Sequence, residues 1–177
     1  MLDEIHIRAH TEYAEGKYHG FVDIGAGHKD DGKEAKEALV FMAVSINETW
    51  KIPLGYFLIY GLSGEERANL VEECLTKLHE IGTPGESLTC DGTPCHFSML
   101  RALGAKLGLD DLDPSFLHPA DPTKKVHVLL DACHMVKLLR NSFGDGLVFF
   151  TTQGETIRWQ YIDELVKLQV LYHNSID

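Results

Sequence analysis

Two apolar runs that each stop on an aspartate constrain this chain more than any other feature. Ser87-Leu88-Thr89-Cys90 runs into Asp91-Gly92-Thr93-Pro94, and Val126-His127-Val128-Leu129-Leu130 runs into Asp131-Ala132-Cys133-His134. Short apolar runs bounded by turn residues read as buried strands. A carboxylate at the C-terminal end of such a strand projects from a rigid sheet into the crevice above it, where α/β folds carry their chemistry. Each motif also has a plainly structural reading, Asp91-Gly92 as a turn and Asp131 as a helix cap.

The segments around these runs give the order of elements. Gly20 to Gly25 reads as a short strand, followed by a polar loop rich in glycine and charge from Gly27 to Glu37. The apolar runs Ala38 to Ile46 and Trp50 to Leu58 flank the turn Asn47-Glu48-Thr49 and predict a long antiparallel hairpin, with a bulge or edge position at Pro53. Ser63 and Glu66 form a capping-box pattern, and Ala68, Val71, Cys74, Leu75, Leu78 and Ile81 share one helical face up to Gly82. After Asp91 comes a helix with Phe97, Leu100, Leu103 and Leu107 on one face. Asp110 to Pro122 reads as a loop with three prolines, and Val126 to Leu130 as a buried strand. Helices are predicted over His134 to Asn141 and from about Trp159 to Leu171, the last with a stripe of Trp159, Ile162, Leu165, Val166 and Gln169. With Met1 to Ile7 as the opening strand, the order predicts an α/β fold. Antiparallel hairpin strands join parallel strands in one RNase H-like mixed sheet with helices on both faces.

Composition narrows the function classes. The 177 residues are 44% apolar and 24% charged, as in a globular domain with a real core. A formal charge of −11 argues against a grip on nucleic acid by this piece alone, since phosphate affinity comes from clustered Lys and Arg. No apolar stretch approaches a membrane span and the N-terminus lacks a signal-peptide pattern, so an intracellular location with no membrane partner is expected. Cys74, Cys90, Cys95 and Cys133 contain no CxxC pair and are expected as reduced thiols. Cys90, Cys95, Cys133, His96 and His134 offer zinc-type donors, but their spacings match no zinc motif and Cys90 points away from Asp91 on a strand. Buried thiols are the reading taken.

Seven ordered segments carry a family resemblance: Leu2-Asp3-Glu4-Ile5, Gly20-Phe21-Val22-Asp23, Ala38-Leu39-Val40-Phe41-Met42, Trp50 to Phe57, Leu88-Thr89-Cys90-Asp91-Gly92, Lys125-Val126-His127-Val128 and Cys133 to Asn141. In these the chain resembles the P-element-type transposases, especially the animal THAP-domain transposases. Ile157-Arg158-Trp159-Gln160-Tyr161-Ile162 resembles the point where that family enters its helical, GTP-binding insertion. The resemblance implies a transposase core over 1–150 and the start of the insertion over 151–177.

It further implies cut-and-paste DNA transposition by an RNase H-like core in which three carboxylates hold two Mg²⁺ ions, with Mn²⁺ as a substitute. The first two carboxylates fall on Asp3 and Asp91, as catalytic residues and metal ligands; Asp23 is the rival for the first place. The third, a glutamate, is expected beyond Asp177, and the zinc-binding THAP module is expected outside the chain, so the chain alone is expected to be inactive. Asp131 is read as a cap or as a carboxylate that orients His134. Lys137 and Arg140, three apart on one helix, read either as DNA-backbone contacts or as a solvated face. The implied partners are DNA transposon ends and a second copy of the chain, the implied location is the nucleus, and GTP is a ligand of the complete family member. The alternative function is a catalytically inactive, domesticated interaction module.

Overall fold

The computed structural model describes residues 1–25 and 32–173, and side chains as far as residue 170. It divides into two compact units, Met1–Asp131 and Ala132–Asp177.

The first unit contains β1 (Leu2–His6), β2 (Glu12–Ala14), β3 (Lys17–His19), β4 (Glu37–Val44), β5 (Lys51–Ile59), α1 (Gly64–Glu80), β6 (Ser87–Cys90), α2 (Pro94–Ala102), β7 (Ser115–His118) and β8 (Asp121–Leu130). Strands β1, β4 and β5 form an antiparallel sheet, and β6, β8 and β7 form a mixed one in which β6 and β8 are parallel. Strands β1 and β6 lie beside each other. The architecture is the mixed α/β arrangement expected from the order of elements.

Register decides which side chains enter the core. Leu2 pairs with Phe41 and Glu4 with Leu39, so these four share a face; Asp3 pairs with Val40 on the other face. Leu2, Leu39, Phe41 and Ile59 meet Ala68, Val71 and Leu75 of α1, Met99 and Leu100 of α2, and Leu88, Val126 and Val128 of the second sheet. Each fully buried Leu, Val or Phe contributes roughly 1.5–3 kcal/mol. The hairpin of β4 and β5 has its bulge where Pro53 was expected to cause one. Phe41 pairs with Gly55 and Met42 with Pro53, leaving Leu54 as the extra residue.

Helix α1 starts as its sequence dictates. Glu66 N donates to Ser63 Oγ at 3.1 Å, and Ser63 N donates to Glu66 Oε2 at 2.7 Å. Gly82, at φ 77°, ends it. Ile81 falls off the buried face, 74% exposed in the helix cap. Of the expected face, Leu100 and Leu103 are buried, Leu103 as the cap beyond α2; Phe97 and Leu107 are half-buried, and His96 and Met99 complete the buried stripe. Apolar counting misses a histidine that enters the core because a carboxylate meets it there. The first residue of α1, Gly64, lies against α2: a Cβ there would stand 2.7 Å from Ser98 Cβ and 2.8 Å from Met99 N.

Three local expectations change. Gly20 to Gly25 makes only the single bridges Phe21↔Glu34 and Asp23↔Leu58. The preceding segment instead forms the β2–β3 hairpin, turned by Glu15 and Gly16 with φ of 53° and 83°. The proline-rich loop contains β7, because Pro114 and Pro119 flank that strand and leave its ladder N–H groups intact, while Pro122 sits near the start of β8. Of the polar loop predicted over 27–37, residues 27–31 lie outside the described residues, and Glu37 opens β4.

The second unit holds α3 (Ala132–Gly144), the two-residue strands β9 (Phe149–Phe150) and β10 (Thr156–Ile157), and α4 (Gln160–His173). Its centre is aromatic, with the Phe143 ring 5.0 Å from Phe149 and 5.4 Å from Trp159. Ile162, Leu165 and Val166 of the expected stripe are exposed. Among the described residues no helix is long and apolar enough to cross a membrane.

Candidate active site

Asp91 follows β6 immediately, and its carboxylate is held from three directions. Thr93 N donates to Asp91 Oδ1 at 3.3 Å, Thr93 Oγ1 donates to the same atom at 3.0 Å, and His96 Nδ1 contacts it as well. The turn Asp91-Gly92-Thr93 and the first turn of α2 thus fold back on the strand end. Burial would raise the Asp91 pKa, but the bonds from His96 and Thr93 outweigh it and hold the carboxyl below its ordinary range. Beside it the Cys90 thiol is pushed up to about 12 by burial and by the charge of Asp91, which makes it an unreactive core residue. All four cysteines are free thiols, as expected, but of these only Cys90 is fully buried: Cys74 and Cys95 are half-buried, and Cys133 is exposed because it lies on the solvent side of α3.

Asp131 stands at the same level as Asp91. Cys90 pairs with Leu130 in the parallel ladder, and Asp131 N donates to Cys90 O at 2.8 Å. The two apolar runs therefore end side by side, with both aspartates at the C-terminal edge of one sheet.

Asp3 lies on the exposed face of β1, its Oδ1 accepting from Glu4 N at 2.9 Å. Asp23 is exposed, and its Oδ1 accepts from Gly25 N at 3.0 Å in a local turn. Glu4 points the opposite way from Asp3, into the structure, where Arg67 Nε of α1 donates to its Oε1 at 2.7 Å. Arg67 also donates to the Leu62 carbonyl, so this buried cation is satisfied twice. Glu4, Cys95 and His96 bring ligating atoms within 4.8 Å of one another. Spacing alone did not single out Glu4 or Arg67, and His96 was weighed only as a zinc donor. The available signals were the period-2 match of Glu4 with Leu2 and the five-residue step from Asp91 to His96.

Of the remaining candidates, His134, Lys137 and Arg140 belong to α3 in the second unit. Lys137 and Arg140 are exposed, and Arg140 Nη1 donates to Asn141 Oδ1 at 2.8 Å.

Residues 1–104 match the family described as TNP-like, RNase H N-terminal domain, and residues 133–175 match the TNP-like, GTP-binding insertion domain. The chain belongs to the P-element-type transposase family. A human relative, DNA transposase THAP9, is 34% identical over 152 residues, which is 85% of this chain and 17% of the relative. The Drosophila P element transposase strand transfer complex superposes with a TM-score of 0.70 at 21% identity, covering 94% of this chain and 33% of that one. This second likeness shows that the transposase RNase H-like fold is shared. The chain thus spans a minor part of the length of each transposase it matches.

Proposed function

We propose that this chain is part of the catalytic core of a P-element-like DNA transposase, acting in metal-dependent DNA strand cleavage and strand transfer. The observation that carries the reading is the Asp91 carboxylate, fixed by Thr93 and His96 at the end of a buried strand and kept ionised below its ordinary range. The family reading of residues 1–104 supplies the chemistry.

In this reading Asp3 and Asp91 hold divalent metal. Their oxygen-only, carboxylate donor set suits Mg²⁺, with Mn²⁺ as a substitute. When bound, the ions supply Lewis acidity to the phosphate and a nucleophile at neutral pH. Thr93 and His96 orient the Asp91 carboxylate, so that the ligand needs no reorganisation on metal entry. Asp131 and His134 take supporting positions, and Lys137 and Arg140 contact DNA backbone. The GTP-binding insertion, expected from residue 151, begins in this reading with the second unit, and the family match over residues 133–175 supports that earlier start. DNA transposon ends, a second copy of the chain, recognition through a THAP module and a nuclear location belong to the same proposal.

The formal charge of −11 favours a second reading, an inactive interaction module descended from the enzyme. Calorimetric titration with Mn²⁺ separates the two, using the wild type, Asp3→Asn and Asp91→Asn. Binding that disappears in both variants supports the catalytic reading. Absence of binding in the wild type, or binding indifferent to both substitutions, overturns it and leaves the interaction module.

A further inference from the structure

We propose that Glu4, Cys95 and His96 form a second metal site, distinct in chemistry from the carboxylate pair, and that zinc is the ion it takes. The three residues come from β1 and from the first turn of α2, and their ligating atoms lie within 4.8 Å of one another. The donor set is one carboxylate oxygen, one thiolate and one imidazole nitrogen. That combination selects a borderline ion of tetrahedral habit over Mg²⁺ or Ca²⁺, and three protein ligands leave the fourth position for water.

Two further observations point to the ion. His96 is 1% exposed, and among the described residues its buried Nε2 has no hydrogen-bond partner. An orphaned ring nitrogen inside a core costs free energy that a coordinate bond would recover. The other ring nitrogen, Nδ1, is engaged by Asp91 Oδ1. A carboxylate on the far nitrogen of an imidazole is the arrangement that fixes tautomer and ring direction in metal-bound histidines.

Charge agrees with this assignment. Glu4, Asp91 and a Cys95 thiolate carry three negative charges, and Arg67 returns one positive; a divalent ion brings this group to neutrality. Arg67 Nε binds Glu4 Oε1, which leaves the second carboxylate oxygen for the ion. Cys95 Sγ lies 3.1 Å from Thr93 Oγ1, whose proton goes to Asp91, so in the metal-free chain the Cys95 S–H is the donor of this contact. On binding, the S–H bond of Cys95 breaks, its proton leaves to solvent and the sulfur lone pair forms the metal bond.

Co²⁺ titration of the full 177-residue chain tests the site, because cobalt reports both geometry and sulfur ligation. The expected result is tetrahedral visible bands and a thiolate charge-transfer band that reach their full intensity at one equivalent bound at this site, both displaced by Zn²⁺. Cys95→Ser should remove the charge-transfer band and weaken Zn²⁺ binding by about 10-fold or more. Cys133→Ser, at an exposed thiol, should leave both signals intact. Asp3→Asn should leave the thiolate charge-transfer band intact, so failure of the Mn²⁺ titration and failure of this site are separate results. A measurement on the unaltered chain guards against misfolding of a variant: Zn²⁺ should protect Cys95, and not Cys133, from alkylation mapped by mass spectrometry. A Co²⁺ spectrum without the thiolate band, a band that survives Cys95→Ser, or equal alkylation of Cys95 with and without Zn²⁺ overturns the proposal.

Discussion

Arg67 reaches from α1 to Glu4 of β1 with 2.7 Å between Nε and Oε1, from a side chain that is 3% exposed. A cation so placed cannot be rehydrated when its partner goes. Glu4→Ala should therefore destabilise the chain by about 3 kcal/mol, the lower end for breaking a buried pair because Glu4 retains some exposure. Urea denaturation measures it, and a cost below that of an ordinary surface substitution would show that the pair is not holding α1 to β1.

Asp3 and Asp91 should separate in stability even if they act together on metal. Asp3 is exposed and, among the described residues, its side chain is bonded only to the neighbouring backbone, so Asp3→Asn should change stability by no more than about 0.5 kcal/mol. Asp91→Ala removes the acceptor facing a buried histidine and should cost about 1–3 kcal/mol. Thermal melts of the two variants without added metal decide this, and equal losses would contradict it.

A third prediction concerns Gly64. Gly64→Ala drives a methyl group into Ser98 and the Met99 backbone and should cost about 1–3 kcal/mol by overpacking. Gly82→Ala meets no neighbour within 4 Å and is opposed only by its φ of 77°, so its cost should be about 1 kcal/mol. Denaturation midpoints that rank the two the other way would contradict the packing argument.

His118 gives the chain a pH dependence of defined sign. It is buried, its Nδ1 accepts from Ala120 N at 3.2 Å, and its ring lies 5.3 Å from that of His79. Burial and then His79 lower its pKa from the ordinary 6.5, with Asp121 opposing and Lys124 assisting. The unfolded chain takes up this proton near the ordinary value while the folded chain resists it. The stability contribution is therefore complete above the unfolded pKa and is lost as pH falls through it towards the folded one. Melting temperatures should fall between about pH 7.5 and 5.5, and His118→Gln should flatten that part of the curve. An unchanged slope in the variant would assign the effect elsewhere.

The sequence shows most of the frame and only part of the site. The β4–β5 hairpin, its Pro53 bulge, the Ser63 cap and the strand before Asp91 are legible because local signals and tertiary demands agree there. The β2–β3 hairpin escapes because three-residue exposed strands carry no apolar alternation. Strand β7 escapes because prolines at its borders resemble prolines in a loop. His96 and Arg67 escape as buried residues for a shared reason. Each is polar, so apolar periodicity cannot place it inside, and each is admitted to the interior by a carboxylate: Glu4, far away in sequence, for Arg67, and Asp91, on the preceding strand end, for His96.

The close approach at Gly64 links these contacts. With no side chain there, the start of α1 packs directly on Ser98 and Met99 of α2, leaving no room for a methyl group between the helices. Helix α1 grips β1 through Arg67 and Glu4, while α2 grips the end of β6 through His96 and Asp91. The two helices thus form a yoke. Strands β1 and β6 are thus tied to one helix layer by two carboxylate contacts, Glu4 to Arg67 and Asp91 to His96.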